Sequence, residues 1–332
     1  MDTATLPDQF ALSLADIEQA HDRIRRYIVR TPLLESAALN DLVGGRVLVK
    51  PECLQNAGAF KFRGACNRLL QLTPAQRAAG VVAFSSGNHA LAVSTVARSL
   101  HIPATIIMPS DAPRAKIDGS RANGATVILY DRQKDDREAI GAEIAERTGA
   151  VTVPPYDDPY IMAGQGTVGI EIVEQCIEHG VHPDAVIAAC SGGGLVAGVA
   201  IAVKALSPNT DVYAGEPAGF DELARSLASG RPESNVPGAK SICDALQVVK
   251  PGKLTFPVNQ ALLAGSLVVN DDDVRRAMKA AYQHLRLVVE PGGAVPLAAL
   301  LAGKLDVRGK AVALVLSGGN VDTDVYIEAL KA

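Results

Sequence analysis

The chain has 332 residues, 48% of them hydrophobic and 20% charged, with a net charge of −4. That length holds two domains or one large α/β unit with ample core, and the lack of a basic balance argues against a nucleic-acid partner. No run of eighteen apolar residues occurs, and Met1–Phe10 carries Asp2 and Asp8 with no basic segment, so neither a membrane span nor a secretory leader is expected. The cysteines at 53, 66, 176, 190 and 243 are odd in number and form no Cys-x-x-Cys pair. They read as reduced thiols of a cytoplasmic protein, not as a disulfide frame or zinc site.

In chain order, residues 13–29 carry Ile17, Ala20, Ile24 and Ile28 on one helical face, and Thr31-Pro32 ends that helix. Gly44-Gly45 turns into a strand at Arg46–Lys50. Alternation then sets in. Strands are expected at Gly80–Phe84, Ala104–Met108, Thr126–Tyr130 and Val151–Val153, with helices at Asn88–Leu100, Pro113–Asn123 and Asp135–Thr148 between them. The proline-rich stretch from Pro154 to Pro159 marks a candidate boundary. A second run follows: helix Tyr160–Glu178, strand Ala185–Ala189, helix Leu195–Leu206 and strand Val212–Gly215. Ser226–Thr255 reads as irregular, and helices Asp272–Leu285 and Ala294–Gly303 with strand Ala311–Leu316 close the fold. Strand and helix in alternation imply parallel sheets with helices on both faces, an α/β class.

Several short stretches carry chemistry. Lys61 lies between Phe60 and Phe62 after the Gly58 turn. An amine among aromatic rings is partly desolvated and becomes a better nucleophile, although an ordinary solvated lysine at a helix start has the same spacing. Ser191-Gly192-Gly193-Gly194-Leu195 follows an apolar strand and opens a helix, where converging N–H groups favour an anion. Gly192-x-Gly194-x-x-Ala197 with Glu216 also satisfies a loose dinucleotide pattern. That reading leaves Lys61, Ser85–His89 and Ser317–Asn320 unexplained. Ser85-Ser86-Gly87-Asn88-His89 sits at another strand-to-helix turn, either an anion site or a serine cap with His89 packed in the first turn. Glu216, Phe220 and Glu222 offer oxygen donors for a hard cation, or simply make a surface acidic loop.

Taken together, Lys50 to Ala65, Ser85 to His89, Ser191 to Leu195, Glu290-Pro-Gly-Gly293 and Ser317-Gly-Gly-Asn320 resemble the threonine dehydratase and serine racemase family in composition and order. Those are pyridoxal-phosphate enzymes of the tryptophan-synthase-β fold type. The resemblance runs from about Ile17 to Asp322. It implies two open, mainly parallel twisted sheets, with a small mobile domain at 54–155 and a large cofactor-binding domain made of 1–53 and 156–332. The cofactor, pyridoxal 5′-phosphate, would lie in the cleft between them, in a homodimer. The longer members carry a regulatory domain after the position of Asp322, and control by isoleucine is not expected here.

The resemblance also implies roles. Lys61 would hold the cofactor as a Schiff base and move the α-proton, and Ser191 to Leu195 would cup its phosphate. Phe60 would border the cofactor, Asn88 would touch its 3′ oxygen and Ser317 its pyridine nitrogen. Ser85, Ser86, Gly87, Asn88 and His89 would take the substrate carboxylate. Ser86 matches the serine that racemases use as a proton shuttle opposite the lysine. Glu216, the Phe220 carbonyl and Glu222 match a Mg2+ or Ca2+ site, the last position often being Asp in relatives. Ala57-Gly58-Ala59 departs from the family's usual Thr-Gly-Ser and loses a hydroxyl near the lysine. The activity implied is dehydration of a 3-hydroxy amino acid, by default L-threonine or L-serine, to a 2-oxo acid and ammonia. Phenylserine or 3-hydroxyaspartate dehydration and serine racemisation are alternatives within the family. A nicotinamide-dependent dehydrogenase or a non-catalytic amino-acid sensor are alternatives outside it.

Overall fold

The computed structural model describes residues 10–85, 87–112, 114–131 and 134–332. Among the described residues ten strands form two sheets. Strands β1 (Leu34–Glu35), β2 (Arg46–Pro51), β7 (Ala185–Ala189), β8 (Asp211–Pro217), β9 (Gly265–Val269) and β10 (Ala311–Leu316) make a six-stranded sheet in the order β1-β2-β10-β7-β8-β9. Only β1 runs antiparallel, to β2. Strands β3 (Val81–Phe84), β4 (Ala104–Pro109), β5 (Thr126–Tyr130) and β6 (Val151–Thr152) make an all-parallel four-stranded sheet in the order β5-β4-β3-β6. Every residue of β7 and β10 is buried, the continuous apolar run of a strand covered on both faces. The α/β class expected from the alternation, and the two mainly parallel sheets implied by the resemblance, are what the chain adopts.

Most expected elements are present with adjusted ends. The first helix spans Leu14–Ile24, started by a Ser13/Asp16 capping box, and stops one turn short of the expected Val29. The helix expected through Leu285 runs Asp271–Ala280 and then widens into a π-turn at Ala281–Leu285. Strand β9 and the helices Pro74–Ala79, Thr255–Leu262 and Thr323–Lys331 are additions to the expected set. They are short, and Thr255–Leu262 starts where Pro251 and Gly252 suggest a loop. Among the described residues no helix is long and apolar enough to cross a membrane.

Helix Lys61–Leu70 is pressed onto helix Pro159–Glu178, backbone to backbone. A Cβ on Gly164 would lie 2.5 Å from the Gly64 Cα, so no larger residue permits that approach. Beneath this contact lies a fully buried charge cluster. Arg63 donates to Glu52 (Nε to Oε2, 2.7 Å) and to Glu171 (Nη1 to Oε1, 2.7 Å). Lys50 Nζ donates to Glu171 Oε2 at 2.6 Å, to Thr31 O at 2.7 Å and to Gln175 Oε1 at 2.7 Å. Two cations and two carboxylates cancel in charge, and their hydrogen-bonding groups are paired, which is what burial of such groups demands.

Candidate active site

Three strands of the two parallel sheets end at one cleft of about 330 Å3, as parallel α/β sheets commonly arrange their ligand crevices. Beyond β3 lie Ser85 and Gly87, the latter the N-cap of helix Asn88–Ser99. Beyond β7 comes Ser191–Gly193, leading into helix Gly194–Leu206. Beyond β10 comes Ser317–Asn320. The Lys61 segment is stitched to this last loop: Phe60 N donates to Ser317 O at 3.0 Å, Gly319 N donates to Gly58 O at 2.9 Å, and Ala59 bridges Gly318.

Lys61 is the first residue of its helix and is half-buried at the cleft, with Nζ 5.2 Å from the Phe60 ring centroid and 2.5 Å from Pro155 O. Burial lowers its amine to about 8, which keeps a neutral, nucleophilic fraction near neutral pH. The solvated-lysine alternative does not describe this side chain. His89 is buried, and burial first, then the Lys61 charge, lowers it to about 3. Its Nε2 lies 2.9 Å from Val153 O. A carbonyl only accepts, so Nε2 carries the hydrogen and the buried Nδ1 is left as an unpartnered acceptor.

Gly193 sits at φ 92°, where a Cβ would stand 2.5 Å from Asn259 Nδ2 and 2.8 Å from Thr255 Oγ1. The loop thus stays bare of side chains, its amides at the positive end of a thirteen-residue helix. Thr255 Oγ1 fixes it from below by donating to Gly192 O at 2.6 Å. Both side-chain amide atoms of Asn259 are buried without a partner among the described residues, a donor and acceptor next to an anion cradle. A phosphate-bearing cofactor with an aldehyde fits this donor set and the Lys61 amine.

Phe60, Lys61, Ser85, Gly87, Asn88, His89, Ser191, Gly192, Gly193, Gly194, Leu195 and Ser317 all line the cleft. Ser86, singled out for proton transfer and substrate binding, lies outside the described residues. Glu216, Phe220 and Glu222 are not among the cleft's lining residues. They are buried, not a surface acidic loop. Glu216 accepts from Leu223 N and Ala224 N at 2.8 Å each and from Ser266 Oγ at 2.5 Å. Glu222 Oε2 takes the Asn235 amide at 2.5 Å, while Oε1 is buried without a partner among the described residues. Burial pushes Glu216 up to about 7, and burial, aided by the Glu216 charge, pushes Glu222 up to about 8. An unpartnered acceptor beside a second carboxylate fits a hard cation. Glu216 would have to give up one of its present donors to join it. Among the described residues no three His, Cys, Asp or Glu side chains cluster as a metal site.

Sequence reading missed several cleft residues. Tyr156 lies against the glycine loop, and Arg137 stacks its guanidinium 5.5 Å from the Phe84 ring centroid with no ion pair among the described residues. Glu290 is buried, and burial pushes it up to about 7. Lys116 Nζ reaches Asp244 Oδ2 at 2.7 Å and Glu290 Oε2 at 3.9 Å. Only Glu290 belonged to a recognised stretch. The others come from loops and helix starts with no spacing of their own.

Comparison with known proteins shows the family. The family model described as "Pyridoxal-phosphate dependent enzyme" matches residues 24–318. The chain is similar to a serine racemase of Arabidopsis thaliana, 40% identical over 98% of both chains. It is also similar to an L-threo-3-hydroxyaspartate ammonia-lyase of a Pseudomonas species, 41% identical over 96% of this chain and 98% of that one. Among solved structures, maize serine racemase superposes with a TM-score of 0.91 at 38% identity, over 97% of this chain and 98% of that one.

Proposed function

The chain belongs to the pyridoxal-phosphate-dependent enzyme family, and on that premise we propose that it is an ammonia-lyase that dehydrates a 3-hydroxy amino acid, L-threonine or L-serine, to a 2-oxo acid and ammonia. The observation that carries this reading is Lys61, a half-buried amine lowered to about 8 at a cleft that also holds the bare glycine cradle. When bound, pyridoxal phosphate supplies an electron sink for bond changes at the amino acid's α-carbon. The chain's own residues do the rest. Amides of Gly192 to Leu195 would bind the phosphate, Ser317 would meet the pyridine nitrogen, Phe60 would border the ring and Asn88 would donate to the 3′ oxygen. Amides at the start of helix Asn88–Ser99 hold the substrate carboxylate, with His89 neutral beside them. Lys61 Nζ would take the α-proton, the β-hydroxyl would leave as water with a proton returned by Lys61 or solvent, and the released enamine would tautomerise and take up water to give the 2-oxo acid and ammonia. Ser86 would return a proton on the opposite face and so support racemisation. Glu216, the Phe220 carbonyl and Glu222 would hold Mg2+ or Ca2+. The reading includes a mobile 54–155 domain and a cytoplasmic homodimer, and a protomer mass in sedimentation would remove the dimer.

A second substrate is favoured by Arg137. A guanidinium in the cleft with no carboxylate paired to it among the described residues suits a second substrate carboxylate, and thus 3-hydroxyaspartate. The test is release of 2-oxo acid across L-threonine, L-serine, threo-3-hydroxyaspartate and phenylserine, with the wild type and Arg137→Met. A loss in Arg137→Met confined to 3-hydroxyaspartate supports the second substrate, and equal losses remove it. No 2-oxo acid from any of them, with cofactor bound, refutes the lyase reading.

A further inference from the structure

We propose that Glu290 is a positioning residue that clamps the Asn88 amide from the opposite side of the cleft, so that one N–H of Asn88 is aimed into it. The proposal rests on the cofactor-binding reading above. Asn88 opens the helix that follows β3 of the four-stranded sheet. Glu290 is the N-cap of helix Pro291–Leu301, which packs on the six-stranded sheet. Asn88 Nδ2 donates to Glu290 Oε1. At the other end of the amide, Asn320 Nδ2 donates to Asn88 Oδ1 at 2.9 Å, and Asn320 is itself tied to Ala57 O at 2.8 Å.

These two bonds settle the amide's orientation. Asn320 offers a donor, so it must meet the Asn88 oxygen; the Glu290 carboxylate offers an acceptor, so it must meet the nitrogen. A flipped amide would lose both. Nδ2 has two hydrogens and spends one on Glu290. Asn88 lines the cleft, and its second hydrogen is the donor presented there. Glu290 in turn is held by charge. Its Oε2 is buried without a hydrogen-bond partner among the described residues, and the Lys116 amine stands 3.9 Å away, itself paired with Asp244. Burial opposes ionisation of Glu290, Lys116 favours it and Asp244 opposes it. Asn88 and Lys116 come from the four-stranded side, Glu290, Asp244 and Asn320 from the six-stranded side. The clamp is therefore assembled only when the two sides meet.

The test uses protein reconstituted with pyridoxal phosphate, without substrate, and reads the ratio of the cofactor's visible to near-ultraviolet absorbance. A donor held on the 3′ oxygen favours its anionic, visible-absorbing form. Glu290→Ala is expected to lower the ratio about threefold, the worth of roughly one hydrogen bond, and Glu290→Gln, which keeps an acceptor, to restore most of it. In an Asn88→Ala background Glu290→Ala is expected to change nothing further. An unchanged ratio in Glu290→Ala, an equal loss in Glu290→Gln, or a full additional loss in the Asn88→Ala background overturns the clamp. If Glu290→Ala does not accumulate folded, Asn320→Leu takes its place, with the same loss expected and no change overturning. A wild type that shows no visible band overturns the cofactor reading as well, whereas a normal wild type with an unaffected variant overturns the clamp alone.

Discussion

Arg63→Met tests the buried charge cluster beneath the Lys61 helix. The substitution keeps a long apolar side chain but removes the donors to Glu52, Glu171 and Thr167. Lys50 still neutralises Glu171, and Thr31 Oγ1 still donates to Glu52 at 2.7 Å, so one buried carboxylate loses its cation. Breaking such a pair costs about 3–5 kcal/mol, against about 5–15 kcal/mol for a whole domain. Urea denaturation at matched cofactor saturation should show a midpoint lower by about 1 M or more. The pH dependence adds a second check. Burial alone would push the Glu171 carboxyl up, but Arg63 and Lys50 hold it below its ordinary value. Such a group contributes stability above its unfolded value and loses it as pH falls through the folded one. The gap between wild type and variant should thus be widest near neutral pH and shrink on acidification. A cost below about 1 kcal/mol at neutral pH, as an exposed pair would give, refutes the reasoning, as does a gap that ignores pH.

Lys61→Ala should abolish 2-oxo acid release, and borohydride reduction of the wild type should fix the cofactor on the Lys61 peptide; label on another lysine defeats the assignment. Gly193→Ala places a side chain at φ 92° and against Asn259, so cofactor affinity should fall about tenfold or more; unchanged affinity removes the cradle. Glu216 and Glu222 are pushed up to about 7 and about 8. Folding therefore holds their protons more tightly, and without metal the Tm should decline as pH rises through that window. Mg2+ competes with those protons and should raise the Tm more at about pH 8.5 than at about pH 6; equal effects argue against the site.

The fold was readable wherever apolar strands alternate with helices, as in β3 through β7, because the period of each element is printed in its own residues. Strand β9 and the helix Thr255–Leu262 escaped because prolines and glycines around them mimic a loop, and only packing makes them regular. Within the site, the Ser85–His89 stretch, the glycine loop and Ser317 stand out because small residues cluster at strand ends, and Lys61 because two phenylalanines flank it. Asn259, Lys116, Arg137 and Asp244 carry no local mark. Arg137 and Asp244 line the cleft and Asn259 and Lys116 stand behind it because tertiary packing brings together elements far apart in sequence, and a single chain read in order has no signal for that.

The position of β10 has a consequence for biogenesis. It is made after the other nine described strands, yet it lies between β2 and β7 in the middle of the six-stranded sheet. A nascent chain that has reached β9 still has β2 and β7 without the partner that joins them, each exposing a row of backbone donors and acceptors. The Lys61 segment, made more than two hundred residues earlier, likewise has no Ser317 loop to be stitched to. Residues 59 to 318 must therefore come together in one late step of high sequence separation. A ribosome that stalls short of Ala311 releases a chain with no cofactor pocket and two open sheet edges, a species that chaperones and proteases can tell from the finished protein by touch alone.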